Sequence, residues 1–99
     1  MRKITQQSVA AFIAKTPFSS GNMSVHVTNS DCEMALHGNV IAYYVGNNNI
    51  VIRDAGWQTV TTKERLNGLL NTLNLAPIYQ KDFIWYRNGE WKGSEVLSV

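Results

Sequence analysis

Between Leu36 and Leu73 two strand-like runs and a helix start follow one another with almost no slack, and that order restricts the chain to few folds. Leu36 to Val45 reads as the end of one strand, a Gly38-Asn39 turn and a second strand rich in β-branched and aromatic residues. After the polar loop Gly46 to Asn49, Ile50 to Asp54 has the composition of a further strand, and Ala55-Gly56-Trp57 breaks it. Thr61 and Glu64 then have the spacing of a capping box, in which each side chain bonds the other's free backbone N–H. Leu66, Leu69, Leu70 and Leu73 fall on one face of the helix that follows. Gly68 in that helix costs about 1 kcal/mol relative to Ala, so packing against a sheet must hold it.

Upstream, Ile4 to Lys15 has the pattern of a short amphipathic helix with Thr5 as N-cap and Val9, Phe12 and Ile13 on one face, ended by Thr16-Pro17. Phe18 to Asn22 reads as a loop, and Met23 to Thr28 alternates as a half-buried strand does. A one-residue slip in pairing turns every side chain over, so register follows from aligning apolar with apolar residues. An Asn29-Ser30 turn sets Val27 opposite Cys32, Val25 opposite Met34 and Met23 opposite Leu36. A Gly38-Asn39 turn then sets Leu36 opposite Ile41, Met34 opposite Tyr43 and Cys32 opposite Val45; a loop at Gly46 to Asn49 adds Val45 opposite Ile50 and Tyr43 opposite Ile52. The predicted fold class is α+β: an antiparallel meander of about four strands with two helices on its apolar face. On the polar face His26, Glu33, Tyr44 and Val51 form a cross-strand row. An aromatic-rich hairpin follows, from Ile78-Tyr79-Gln80 through a Lys81-Asp82 turn and Phe83 to Arg87, with a second turn at Asn88-Gly89 before Glu90-Trp91-Lys92. With 99 residues, 44% of them hydrophobic, the chain makes one domain, 1–99, in which 93–99 reads as a loosely ordered tail.

The residue inventory argues against catalysis. Cys32 points into the core in this register while His26 and His37 point out, which separates the only thiol from both imidazoles. Two histidines and one cysteine without close spacing do not close a tetrahedral zinc site. Asp31, Asp54, Glu64 and Asp82 fall at turns or a helix start, where carboxylates cap backbone N–H groups, and the glycines form no phosphate-cradling pattern. The expectation is no enzyme, no cofactor and no metal. A single cysteine excludes an intrachain disulfide, and the apolar run after Arg2-Lys3 is too short for a signal peptide or membrane span, which suggests a reducing, cytoplasmic setting. A net charge of +2 gives only weak attraction to polyanions.

Three pieces carry a resemblance: His37-Gly38-Asn39-Val40-Ile41-Ala42; Ala55-Gly56-Trp57-Gln58-Thr59 leading into Thr61-Thr62-Lys63-Glu64-Arg65-Leu66-Asn67; and Trp85-Tyr86 with Asn88-Gly89 and Trp91. Together, over about Leu36 to Trp91, they resemble a family of short, largely uncharacterised proteins of tailed bacteriophages; the segment before Leu36 matches least. The resemblance implies an accessory protein in the bacterial cytoplasm and supplies no catalytic residues. The function it suggests is a non-enzymatic module that binds and inhibits or redirects a host protein. Trp57, Tyr79, Trp85, Tyr86 and Trp91 are the candidate contacts, because buried Trp and Tyr anchors dominate interface energetics. Strand addition at an exposed Met23 to Thr28 edge is a further route. The alternative is a nucleic-acid binder using Lys63, Arg65, Arg87 and Lys92 on the second helix and the hairpin after it. The oligomeric state is open.

Overall fold

A computed structural model of the chain describes residues 1–46 and 48–98. The elements in order are α1 (Lys3–Ile13), β1 (Phe18–Ser20), β2 (Met23–Val27), β3 (Cys32–Leu36), β4 (Asn39–Val45), β5 (Asn49–Arg53), α2 (Val60–Thr72), β6 (Tyr79–Lys81), β7 (Ile84–Tyr86) and β8 (Ser94–Leu97). The fold is α+β. Its main sheet has six antiparallel strands in the order β1-β2-β3-β4-β5-β8, and β6 and β7 form a separate ribbon.

The expected four-strand meander is therefore the middle of a wider sheet. Phe18 to Ser20, expected as loop, pairs with β2 through Phe18↔Val25 and Ser20↔Met23, because Gly21 takes φ +55° and closes a tight turn. Met23 to Thr28 is consequently covered by β1 and is not the sheet edge. The expected C-terminal tail is also corrected: Ser94 to Leu97 pair with β5 from Ile50↔Leu97 to Arg53↔Ser94, and the buried Leu97 side chain anchors them. Val99, and Asn47 in the expected Gly46 to Asn49 loop, lie outside the described residues.

The β2–β3 register is the expected one, with Val27↔Cys32, Val25↔Met34 and Met23↔Leu36. The next pair differs. The turn residues are His37 and Gly38, at φ +52° and +78°, which puts glycine at the second position of a turn needing positive φ at both. Leu36 then faces Asn39 and Ala35 faces Val40, but Met34 faces Ala42, so Ile41 is an extra residue on β4. This bulge buries Ile41 and Ala42 together and reverses the expected roles of the two tyrosines. Tyr44 turns inward, stacks on Phe12 at 4.8 Å and donates to the Phe12 carbonyl. Tyr43 replaces it in the outer row, which runs His26, Glu33, Tyr43, Val51 and Val96.

Both helices cover the inner face, α1 over β1 to β3 and α2 against β4 and α1. Leu66, Leu69 and Leu70 are fully buried and Leu73 half-buried, as the leucine stripe requires. The cap is displaced from the expected Thr61–Glu64 box: Thr59 is the N-cap, and its hydroxyl accepts from the Thr62 N–H at 3.1 Å. That leaves Glu64 to bind Thr5 and Arg65. Thr5 is likewise not a cap. It lies buried within α1, donates to Glu64 at 2.6 Å and accepts from Arg65, whose second terminal nitrogen donates to Asn22 at 3.2 Å. Ile13 is exposed, unlike Val9 and Phe12.

Candidate functional site

Strand β5 is followed by Asp54-Ala55-Gly56-Trp57, where Ala55 and Gly56 both have positive φ (+56° and +85°) and the Trp57 N–H closes the turn on the Asp54 carbonyl at 2.9 Å. The Asp54 side chain is almost wholly buried at this corner. Its Oδ1 accepts from the Gly56 N–H at 2.8 Å, and its Oδ2 accepts from Gln58 Nε2 at 3.1 Å and from the Trp91 indole Nε1 at 3.0 Å. Burial opposes the charge, but these three donors and the neighbouring Arg53 outweigh it and hold the carboxyl below the usual carboxylate range. Facing this corner is the His37-Gly38 turn, with Ile41 aimed inward by the bulge. Between them lies a cavity of about 360 Å³, lined by Leu36, His37, Asn39, Ile41, Asp54, Ala55, Trp57, Thr59, Thr61 and Thr62. Trp57 forms an exposed wall of it, with 59% of its surface accessible.

The β6–β7 hairpin stands beside this end of the molecule. Asn67 clasps Ile78, donating to its carbonyl at 2.9 Å and accepting from its N–H at 2.7 Å, and Lys63 Nζ donates to Gln80 Oε1 at 3.2 Å. Strand β6 thus runs antiparallel to α2, towards the helix start. At about 3.3 Å per residue the hairpin turn comes level with the first residues of α2. The turn consists of Asp82 and Phe83, at φ +52° and +68°, and Phe83 is 92% exposed. The outward side of the hairpin carries Ile84 and the stacked pair Tyr79–Tyr86, with ring centres 5.6 Å apart. Val60, the first residue of α2, is 74% exposed. Trp57 and Val60 are thus exposed apolar residues at the start of α2 and Phe83 is exposed at the hairpin tip that reaches this level, while Ile84 and Tyr79 are exposed on the hairpin's outward side.

The candidate contacts divide. Trp57 and Tyr79 are exposed and Tyr86 is half-buried on the outer side of the hairpin. Trp85 and Trp91 are corrected to core residues: they pack against each other with ring centres 6.4 Å apart, only 2% and 7% exposed. The alternation within β7 explains this, since it sends Trp85 inward where Tyr86 goes outward. Of the four cations proposed for nucleic acid, Arg65 is buried and paired with Glu64, and Arg87 is paired with Glu95, so two already have their charge engaged within the protein. Lys63 is half-buried on Gln80 and Lys92 is exposed. Cys32 is buried, its thiol pKa raised by burial, while His26 and His37 are exposed. Sequence reasoning left Phe83 and Val60 out of the candidate contacts, and it placed Asp54 at a turn capping a backbone N–H, as it does for Gly56, without its bonds to Gln58 and Trp91. Moving the hairpin turn one residue along, to Asp82-Phe83, would have put Phe83 at the tip.

No helix among the described residues is long and apolar enough to cross a membrane. No curated protein and no solved structure matches this chain. A family model described as Kyanoviridae Gp96 protein matches residues 1–97, so the family reaches well before Leu36, through α1 and β1 to β3. The chain therefore belongs to the Kyanoviridae Gp96 family of cyanophage proteins.

Proposed function

We propose that this phage protein is a non-enzymatic binding module that acts in the cytoplasm of the infected cell by docking on a host protein and inhibiting or redirecting it. The docking surface is the apolar end formed by Trp57, Val60, Tyr79, Phe83 and Ile84. The observation that carries this reading is Phe83. A left-handed backbone costs a residue with a Cβ about 1–2 kcal/mol, and a phenylalanine held in water contributes nothing to folding in return. A residue unfavourable to the isolated chain in both respects is accounted for by burial against a second molecule, where aromatic anchors in rigid turns lose little entropy on binding.

The test is a pull-down from nuclease-treated host lysate with the wild-type protein and with Phe83→Gly, which suits the turn better and so stays folded. A host protein retained by the wild type and lost from Phe83→Gly is the expected result. Equal retention by both, or partners that vanish with nuclease, would overturn it.

A further inference from the structure

We infer that the cavity beside Trp57 receives a cationic side chain, lysine or arginine, from the protein partner, its charged head on Asp54 and its aliphatic stem against Leu36, Ile41 and Trp57. This rests on the reading that the apolar end is where a partner docks, and it specifies that partner's chemistry.

Asp54 supplies the charge. A carboxylate has about four lone-pair sites, and three are taken by Gly56, Gln58 and Trp91, leaving room for one further donor. All three donors are neutral. The ion pairs among the described residues are Arg65–Glu64 and Arg87–Glu95, so the Asp54 charge meets no cation across a salt bridge. An anion that is buried and fixed in orientation, stabilised by neutral donors and by Arg53 from beyond salt-bridge distance, still attracts a further cation more strongly than a surface carboxylate does.

The walls select the rest of the ligand. Leu36, Ile41 and Ala55 are apolar, and the exposed indole of Trp57 offers a ring face for a cation. At about 360 Å³ the cavity has room for one lysine or arginine side chain, and it is at the low end of the range of about 300–1,000 Å³ for ligand sites. An anion is disfavoured even though α2 starts here. Asp54 repels it, and the Thr62 and Lys63 N–H groups already donate to the Thr59 hydroxyl and carbonyl.

The experiment is an NMR titration of the ¹⁵N-labelled protein with N-acetyl-arginine amide and, separately, with the uncharged N-acetyl-norleucine amide, neither of which requires the host partner. The arginine probe should shift the Trp57 indole and the Ala55 and Thr61 amides, and should bind at least about tenfold more tightly than the norleucine probe. Trp57→Ala, an exposed position, should weaken arginine binding several-fold, and Asp54→Asn should remove the preference for the charged probe. Equal affinity for the two probes, shifts centred elsewhere, or none up to roughly tens of millimolar would overturn the inference. Host capture that depends on Phe83 without arginine binding would remove this inference alone. Arginine binding without host capture would remove the proposed function, and with it the assignment of that cation to a protein partner, while showing that the cavity itself selects a cation.

Discussion

Gly68 on α2 meets Thr5 on α1 so closely that a Cβ on the glycine would lie 2.3 Å from the threonine Cγ2 methyl. Propensity alone says that Gly68→Ala should stabilise the helix by about 1 kcal/mol. The contact reverses the sign, because the two helices must separate or Thr5 must leave its rotamer, and overpacking of this kind costs about 1–3 kcal/mol. Gly68→Ala should therefore lower stability in chemical denaturation. Thr5→Ser keeps the hydroxyl that binds Glu64 and Arg65 and deletes the clashing methyl, so the double variant should recover most of the loss. An alanine variant as stable as the wild type would mean that the helices do not approach this closely.

Phe83 has the opposite expectation. Phe83→Gly puts glycine at the second position of a turn whose central residues both have positive φ, the arrangement such turns favour. The gain in folding free energy should reach about 1 kcal/mol, read as a higher denaturation midpoint at unchanged slope. A drop in stability would show that the phenyl ring is part of the fold and would remove the basis for assigning it to a partner.

Several elements were legible because a period decides them. Alternation in Met23 to Val27 and Cys32 to Leu36 fixes a register through the Asn29-Ser30 turn, and the leucines from 66 to 73 mark the buried side of α2. A bulge is invisible to the same reasoning. Period two assigns a face by parity, and Ile41-Ala42-Tyr43-Tyr44 is apolar or aromatic throughout, so nothing marks the extra residue that turns Tyr44 inward. Thr59, Thr61 and Thr62 are all competent caps, and the choice of Thr59 rests on a hydrogen bond that composition does not encode. Strand β1 has three residues and β8 four, too few for a period to show, and each owes its conformation to the neighbour it pairs with. The cavity combines these difficulties. It needs the bulged Ile41, the His37-Gly38 turn and a carboxylate fixed by an indole 37 residues away, and no local spacing announces that combination.

That last contact gives the chain a pH signature. The Asp54 carboxyl is held below its ordinary range by Gly56, Gln58, Trp91 and Arg53 against the opposing effect of burial, so the folded protein keeps Asp54 ionised to lower pH than the unfolded chain does. Stability from this group is complete above the unfolded pKa of about 4 and is lost as pH falls through the lower folded value. Trp91→Phe removes one of the three side-chain and backbone donors while keeping an aromatic ring in the core. The variant should be less stable at pH 7 by about 1.5–3 kcal/mol, the worth of a hydrogen bond to a charged group, plus a smaller loss from the missing ring atoms. Below pH 4 the wild type should lose stability more steeply than the variant, so their melting temperatures should converge as pH falls. Curves that stay parallel into acid would mean that the indole N–H does not act on the Asp54 charge.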